Sequence, residues 1–110
     1  MKAILTFLMV LTHCALMSQK FESTYNIVID YDGKNRYVKH NEGKWVCTDS
    51  ILYQYYVNDT LEYKIYKIVN RDVYYINDFD ELIKVLFMAN GSVVKTNTTR
   101  PKEYLIFRIE

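Results

Sequence analysis

Side chains able to do covalent chemistry are few in this chain. Of its two histidines and two cysteines, His13 and Cys14 fall in an N-terminal segment expected to be removed, which leaves His40 and Cys47. A thiol and an imidazole make a nucleophile and its base when a third residue orients the imidazole. His40 and Cys47 could meet only across adjacent strands, and no orienting residue is indicated. A three-ligand zinc site would have to recruit carboxylates. Asp78, Asp80 and Glu81 cluster, but at what reads as a helix start, where acids suit the helix dipole. Asp30-Tyr31-Asp32-Gly33-Lys34-Asn35 approaches a calcium loop, yet Lys34 stands at the fifth position, where an oxygen ligand is needed, and Gly33 comes two places early. It reads as a plain hairpin. There is no glycine-rich phosphate loop. The chain is therefore expected not to be an enzyme, and no catalytic, metal or cofactor-binding residue is assigned.

Three asparagines carry a different chemistry. Asn58-Asp59-Thr60, Asn90-Gly91-Ser92 and Asn97-Thr98-Thr99 are N-glycosylation sequons, and each falls where a turn is expected, so Asn58, Asn90 and Asn97 are the candidate glycan sites. Cys47, left alone, is either a buried free thiol or the link in an intermolecular disulfide. The remaining resource is tyrosine, with 11 in the sequence. Tyrosine brings a large contact area with few rotatable bonds, and Tyr56, Tyr66 and Tyr75 are the candidates for a contact surface, packing of a second sheet being the alternative.

The N-terminus supplies an address. Met1-Lys2 precedes an apolar run from Ala3 to Leu11, broken only by Thr6, and a small-residue region follows. A run of about nine residues is too short to span a bilayer, which needs about 20, and has the form of a signal peptide. Residues 1–18 are expected to be cut after Ser18, with Ala15 as the alternative site. A lipoprotein reading of Cys14 fails on His13, too large for the position before a lipidated cysteine. Losing residues 1–18 removes Lys2 and no acid, so the 14 basic residues become 13 against 13 acidic ones. Such a neutral chain has no electrostatic footprint for nucleic acid or anionic membrane.

The elements that would position these residues are mostly strands. Thr24–Tyr31 alternates and leads through Asp32-Gly33 into a returning strand at 36–40, with Ile27 opposite Val38 and Val28 opposite Tyr37. Asn41-Glu42-Gly43 turns the chain into a third strand at 44–48, with Gly43 able to supply a positive φ. Strands at 51–57, 61–69 and 73–77 follow. An Asn58-Asp59-Thr60 loop would pair Val57 with Leu61, Tyr55 with Tyr63 and Tyr53 with Ile65 on one inward face. The spacing of Leu61, Ile65, Ile68 and Val69 also fits a helix, but the tyrosine, isoleucine and valine content favours strands. Asp78 and Glu81 resemble a capping pair, and Phe79, Leu82, Ile83, Leu86 and Phe87 recur at helical spacing, so one helix is expected over 79–89, ended by Asn90-Gly91. A last hairpin pairs 92–96 with 103–109, whose Ile106 to Ile109 stretch reads as an inner strand.

Gly43-Lys44-Trp45 resembles the Gly-x-Trp of the first lipocalin strand, in a family of secreted eight-stranded carriers. The likeness covers three residues. Two strands precede it where that family has none, and about 65 residues follow, too few for the full barrel.

The expectation is a mainly β fold, β-rich α+β: a small antiparallel β-sandwich or half-open barrel over residues 19–110, with one helix near 79–89. The functional expectation is a secreted, N-glycosylated, non-enzymatic module that binds an extracellular protein. Its composition, rich in Tyr, Asn, Ile, Lys and Asp, matches small secreted factors of viruses and parasites that act on a host. The alternatives are a carrier of a small apolar ligand between sheet and helix, and a structural protein dimerised through Cys47.

Overall fold

The computed structural model describes residues 19–110, so the expected signal peptide lies outside the described residues. Strands occupy 61% of the described chain and no helix is present. In chain order they are β1 Phe21–Tyr25, β2 Ile27–Tyr31, β3 Arg36–Lys39, β4 Gly43–Cys47, β5 Ile51–Tyr56, β6 Thr60–Val69, β7 Asp72–Ile76, β8 Leu82–Phe87, β9 Val93–Asn97 and β10 Tyr104–Arg108. All neighbours are antiparallel, in the order β1-β4-β5-β6-β7-β8-β9-β10-β2-β3. The sheet curls into a half-barrel.

What curls it is a bent strand. The stretch expected to be one strand from Thr24, behind a polar lead, is two strands, and the lead residue Phe21 already belongs to β1. The chain bends at Asn26, so that β1 pairs with β4 while β2 pairs with β10 at the far end of the strand order. Asn26 fastens the bend: its N–H donates to the Arg108 carbonyl (3.1 Å) and its Oδ1 accepts from Glu110 N–H (2.7 Å). Aromatic rings fill the space that the curl encloses. Phe21 stacks on Phe87 (5.2 Å between centroids), and Phe107 takes edge contacts from Tyr25 (4.9 Å) and Trp45 (5.2 Å). Trp45, Cys47, Leu52, Val73, Val85 and Val93 are wholly buried around them.

The expected helix over 79–89 is replaced by a loop and β8. Asn77 Oδ1 accepts from the N–H groups of Phe79 and Glu81 (both 2.9 Å), Asp80 adopts a positive φ of 64°, and Phe79 is 83% exposed. Asn77 therefore holds a turn here, and the acids cap no helix. Beyond it, Ile83, Val85 and Phe87 face the core while Leu82 and Leu86 sit on the opposite face. A central strand apolar on both faces gives an unbroken apolar run, and that run also satisfies helical spacing. The β-branched Ile83 and Val85 suit the strand. Asn90-Gly91 then forms a hairpin loop, closed by Met88 N–H to the Ser92 carbonyl (2.8 Å).

Two expected registers are also corrected. The β5–β6 ladder closes on Tyr56 and Asp59 with Val57-Asn58 at the tip, which sets Tyr55 opposite Thr60, Tyr53 opposite Glu62 and Leu52 opposite Tyr63. That odd shift turns β5 over: Leu52 and Gln54 face inward and Tyr53 and Tyr55 outward. Leu52 buries without a hydrogen-bond partner, whereas two inward tyrosines would each need one. In the β2–β3 hairpin Asp32 Oδ1 accepts from the N–H groups of Lys34 and Asn35 (2.9 and 2.7 Å), a side-chain-stabilised turn with Gly33 at φ 98°. Ile29 therefore faces Val38, and Asp30 faces Tyr37, a slip of two that keeps the faces. β10 does lie inside the sheet, between β9 and β2.

Candidate functional site

Ile27 and Ile29 are each 3% exposed yet lie outside the core cluster. The registers explain why they stand outside the cluster. Val28 points into the core, so its neighbours in β2 point outward. Following the pairs across the sheet, Leu86 faces Val94, Val94 faces Ile106, Ile106 faces Ile29 and Ile29 faces Val38. An apolar row thus crosses five strands on the convex face, with Val38 exposed, Leu86, Val94 and Ile106 part-exposed and Ile29 buried. The next row reads Lys84, Thr96, Tyr104, Tyr31 and Arg36, with the Tyr31 and Tyr104 rings 5.1 Å apart. On the other side Arg108 faces Ile27. Apolar centre and charged rim, with Lys84, Arg36 and Arg108 basic, are the anatomy of a protein-contact patch.

The tyrosines expected to form a contact surface divide. Tyr56 and Tyr66 are exposed (42% and 63%), but Tyr75 is buried at 3%. The cause is a bulge in β6 between Ile65 and Lys67. It leaves Tyr66 unpaired and reverses the alternation, so Tyr63 and Ile65 point inward before it and Ile68 after it. The same bulge is why this stretch mimics helical spacing. Tyr75 faces Ile65 and stacks on Tyr63 at 4.2 Å, and burial pushes its hydroxyl pKa up strongly. It offers no contact surface in this fold.

Of the sequon asparagines, Asn58 stands exposed at the β5–β6 tip and Asn90 exposed in the β8–β9 loop, its Oδ1 accepting from Ser92 N–H (2.9 Å). Asn97 is half-buried at the end of β9. Its Oδ1 accepts from Thr99 N–H (3.0 Å) and Thr99 Oγ1 (2.7 Å). Asn77 first, then Asn97, Thr99 and the Arg100 charge hold the Glu81 carboxyl below its ordinary range. The three sites thus differ in how freely the amide can carry a sugar.

His40 and Cys47 are not brought together. His40 Nδ1 lies 3.7 Å from the Glu110 carboxylate at the surface, while Cys47 is wholly buried and its Sγ donates to the Thr48 carbonyl (3.2 Å). An intermolecular disulfide at Cys47 would require β1 or β5 to leave the sheet, so the buried free thiol is the form in this fold. Burial pushes the thiol up to about 11 from 9.0. The folded state then holds this proton more tightly than the unfolded chain. That stabilisation is complete below pH 9 and is lost as pH rises through 11. We expect a maleimide to leave Cys47 untouched in the folded protein at pH 7 and to label it in denaturant. Labelling at the same rate in both would mean that the β1–β4–β5 edge opens freely.

Among the described residues no group of three histidine, cysteine, aspartate or glutamate side chains could hold a metal, and no helix is long and apolar enough to cross a membrane. The sequence reading missed two polar residues at inward positions, Gln54 in β5 and Lys95 in β9. For Lys95 the signal was present: it alternates with Val93, a core residue. Compared with known proteins, the chain matches no family model, no curated protein and no solved structure.

Proposed function

We propose that this protein is a secreted, N-glycosylated, non-enzymatic module that binds another extracellular protein through the convex face of β8, β9, β10, β2 and β3. The observation that carries the reading is the accessible part of the row, Leu86, Val94, Ile106 and Val38, flanked by Tyr31 and Tyr104. The basic rim favours a partner with an apolar ridge bordered by acids. The secretory address rests on residues 1–18 and the three sequons, and the composition keeps a host-directed factor of a virus or parasite as the setting. A carrier of an apolar ligand between sheet and helix loses its helix, and the Cys47-linked dimer loses its exposed sulfur.

The test is to secrete the full chain from a eukaryotic host, weigh it before and after deglycosylation, and present it to cells displaying extracellular domains. Ile106→Lys should weaken the best-binding domain about 30-fold or more, as loss of a central contact does, with secretion and melting temperature kept. Unimpaired binding by Ile106→Lys would move the site off this face. Unglycosylated protein retained in the cell would remove the address.

A further inference from the structure

We infer that the interior of the half-barrel is a binding site for a small organic carboxylate, its anionic head meeting the Lys95 ammonium. A cavity of about 230 Å³ opens there, walled by Val28, Leu105 and Phe107 and by the tyrosines Tyr25 and Tyr56. Lys95 lines it, and also a larger hollow of about 460 Å³ at the loop end of the barrel, so its side chain borders both spaces.

Two observations give this cavity its charge preference and a third its polarity. First, Lys95 occupies an inward position, opposite the core residue Val85, and its Nζ lies 5.8 Å from the Tyr63 ring centroid. The ion pairs among the described residues engage Lys20, Lys39, Lys44, Arg100 and His40 and leave Lys95 out. Second, the one acid lining the inner cavity, Asp30, is paired with Lys39 at 3.8 Å. The charge left without a partner in the cavity is therefore positive. Burial lowers the Lys95 pKa, as expected of an ammonium short of water and of a counter-ion. Third, Gln54 lines the same cavity at 2% exposure. Its Nε2 donates to the Tyr25 hydroxyl (3.3 Å), and its Oε1 has no protein partner. The Oε1 is an acceptor, so it marks the wall as polar and calls for a hydroxyl or a water beside the ligand, while the carboxylate itself is met by Lys95. An uncharged apolar ligand would leave the Lys95 ammonium unanswered.

Benzoate is a suitable probe, because its ring is small enough for the space and fits the aromatic wall, and benzamide is its neutral counterpart. Titrating the full secreted protein by calorimetry, with chemical shifts to locate the site, should give a dissociation constant for benzoate at or below about 1 mM. Benzamide should bind about tenfold more weakly or worse, the worth of one charge-assisted hydrogen bond. Lys95→Met should lose the same factor while melting no lower than the parent, since it removes a buried charge. Lys64→Met, which removes an exposed lysine outside the cavity, should still prefer benzoate. No benzoate binding, equal affinity for benzamide, or undiminished binding by Lys95→Met would each overturn the inference.

Discussion

Trp45→Ala is expected to cost about 3–5 kcal/mol, the range for deleting a large buried aromatic side chain. Trp45 is wholly buried, with Phe107 edge-on at 5.2 Å and Tyr63 stacked at 6.5 Å. Those contacts join β4 to β10, elements far apart in strand order that meet only because the sheet curls. A domain of this size has roughly 5–15 kcal/mol in all, so the substitution removes a large share of it. The melting temperature should fall by roughly 15–30 °C, at about 4–8 °C per kcal/mol. Trp45→Phe should cost much less. The indole Nε1–H is buried without a partner, and losing it relieves a penalty of about 1–3 kcal/mol while the smaller ring gives up some packing. Thermal unfolding followed by circular dichroism decides the matter. An alanine variant melting within a few degrees of the parent would show that the curl does not depend on this ring.

The second large effect is expected at Gly43. It sits in β4, paired with Tyr25 on one side and Tyr56 on the other. A methyl group there would run into the Tyr25 ring and hydroxyl and come 2.5 Å from the Tyr55 carbonyl. The carbonyl belongs to the neighbouring strand and cannot swing away as a side-chain tip could. If Tyr25 moves instead, Gln54 loses its one partner and Phe107 loses an edge contact. Gly43→Ala should therefore destabilise by about 3 kcal/mol, the upper end for overpacking. Tyr25→Leu in the same chain should recover only part of that, because the Tyr55 carbonyl remains. Full recovery would place the whole clash on the tyrosine. Gly43 is thus required for closeness of approach and not for the positive φ that its place after Asn41-Glu42 suggests. The likeness of Gly43-Lys44-Trp45 to a lipocalin strand has this local steric cause.

Much of the architecture was legible. Alternating Tyr, Ile and Val bounded by Asn, Asp and Gly marks strands and turns because these residues are set by local backbone preference. Position along the chain suffices for them. Registers were another matter. A two-residue change in the β2–β3 hairpin keeps every face, whereas the odd shift in β5–β6 reverses one, and which shift occurs depends on whether Leu52 or Tyr53 is better buried under Trp45 and Cys47. That choice involves β4, which the hairpin's own residues do not describe. The bulge at Tyr66 and the strand at β8 are the same kind of case. Each presents a periodicity that two folds satisfy, and the neighbours decide.

Residue type and short spacing were enough for the strand-rich class, most of the turn sites, the sequon positions and the scarcity of reactive groups. Packing across the curled sheet fixed that residues 82–87 form a strand, that Tyr75 and Cys47 lie inside, and that apolar residues from five strands align in one row on the outer face. It also put Lys95 and Gln54 around one cavity. Such groupings arise because the bend at Asn26 leaves β1 at one end of the sheet order and β2 next to the other, and the sheet then curls. Residues up to about 80 positions apart, such as Ile27 and Arg108, become neighbours through that curl, and no local preference encodes it.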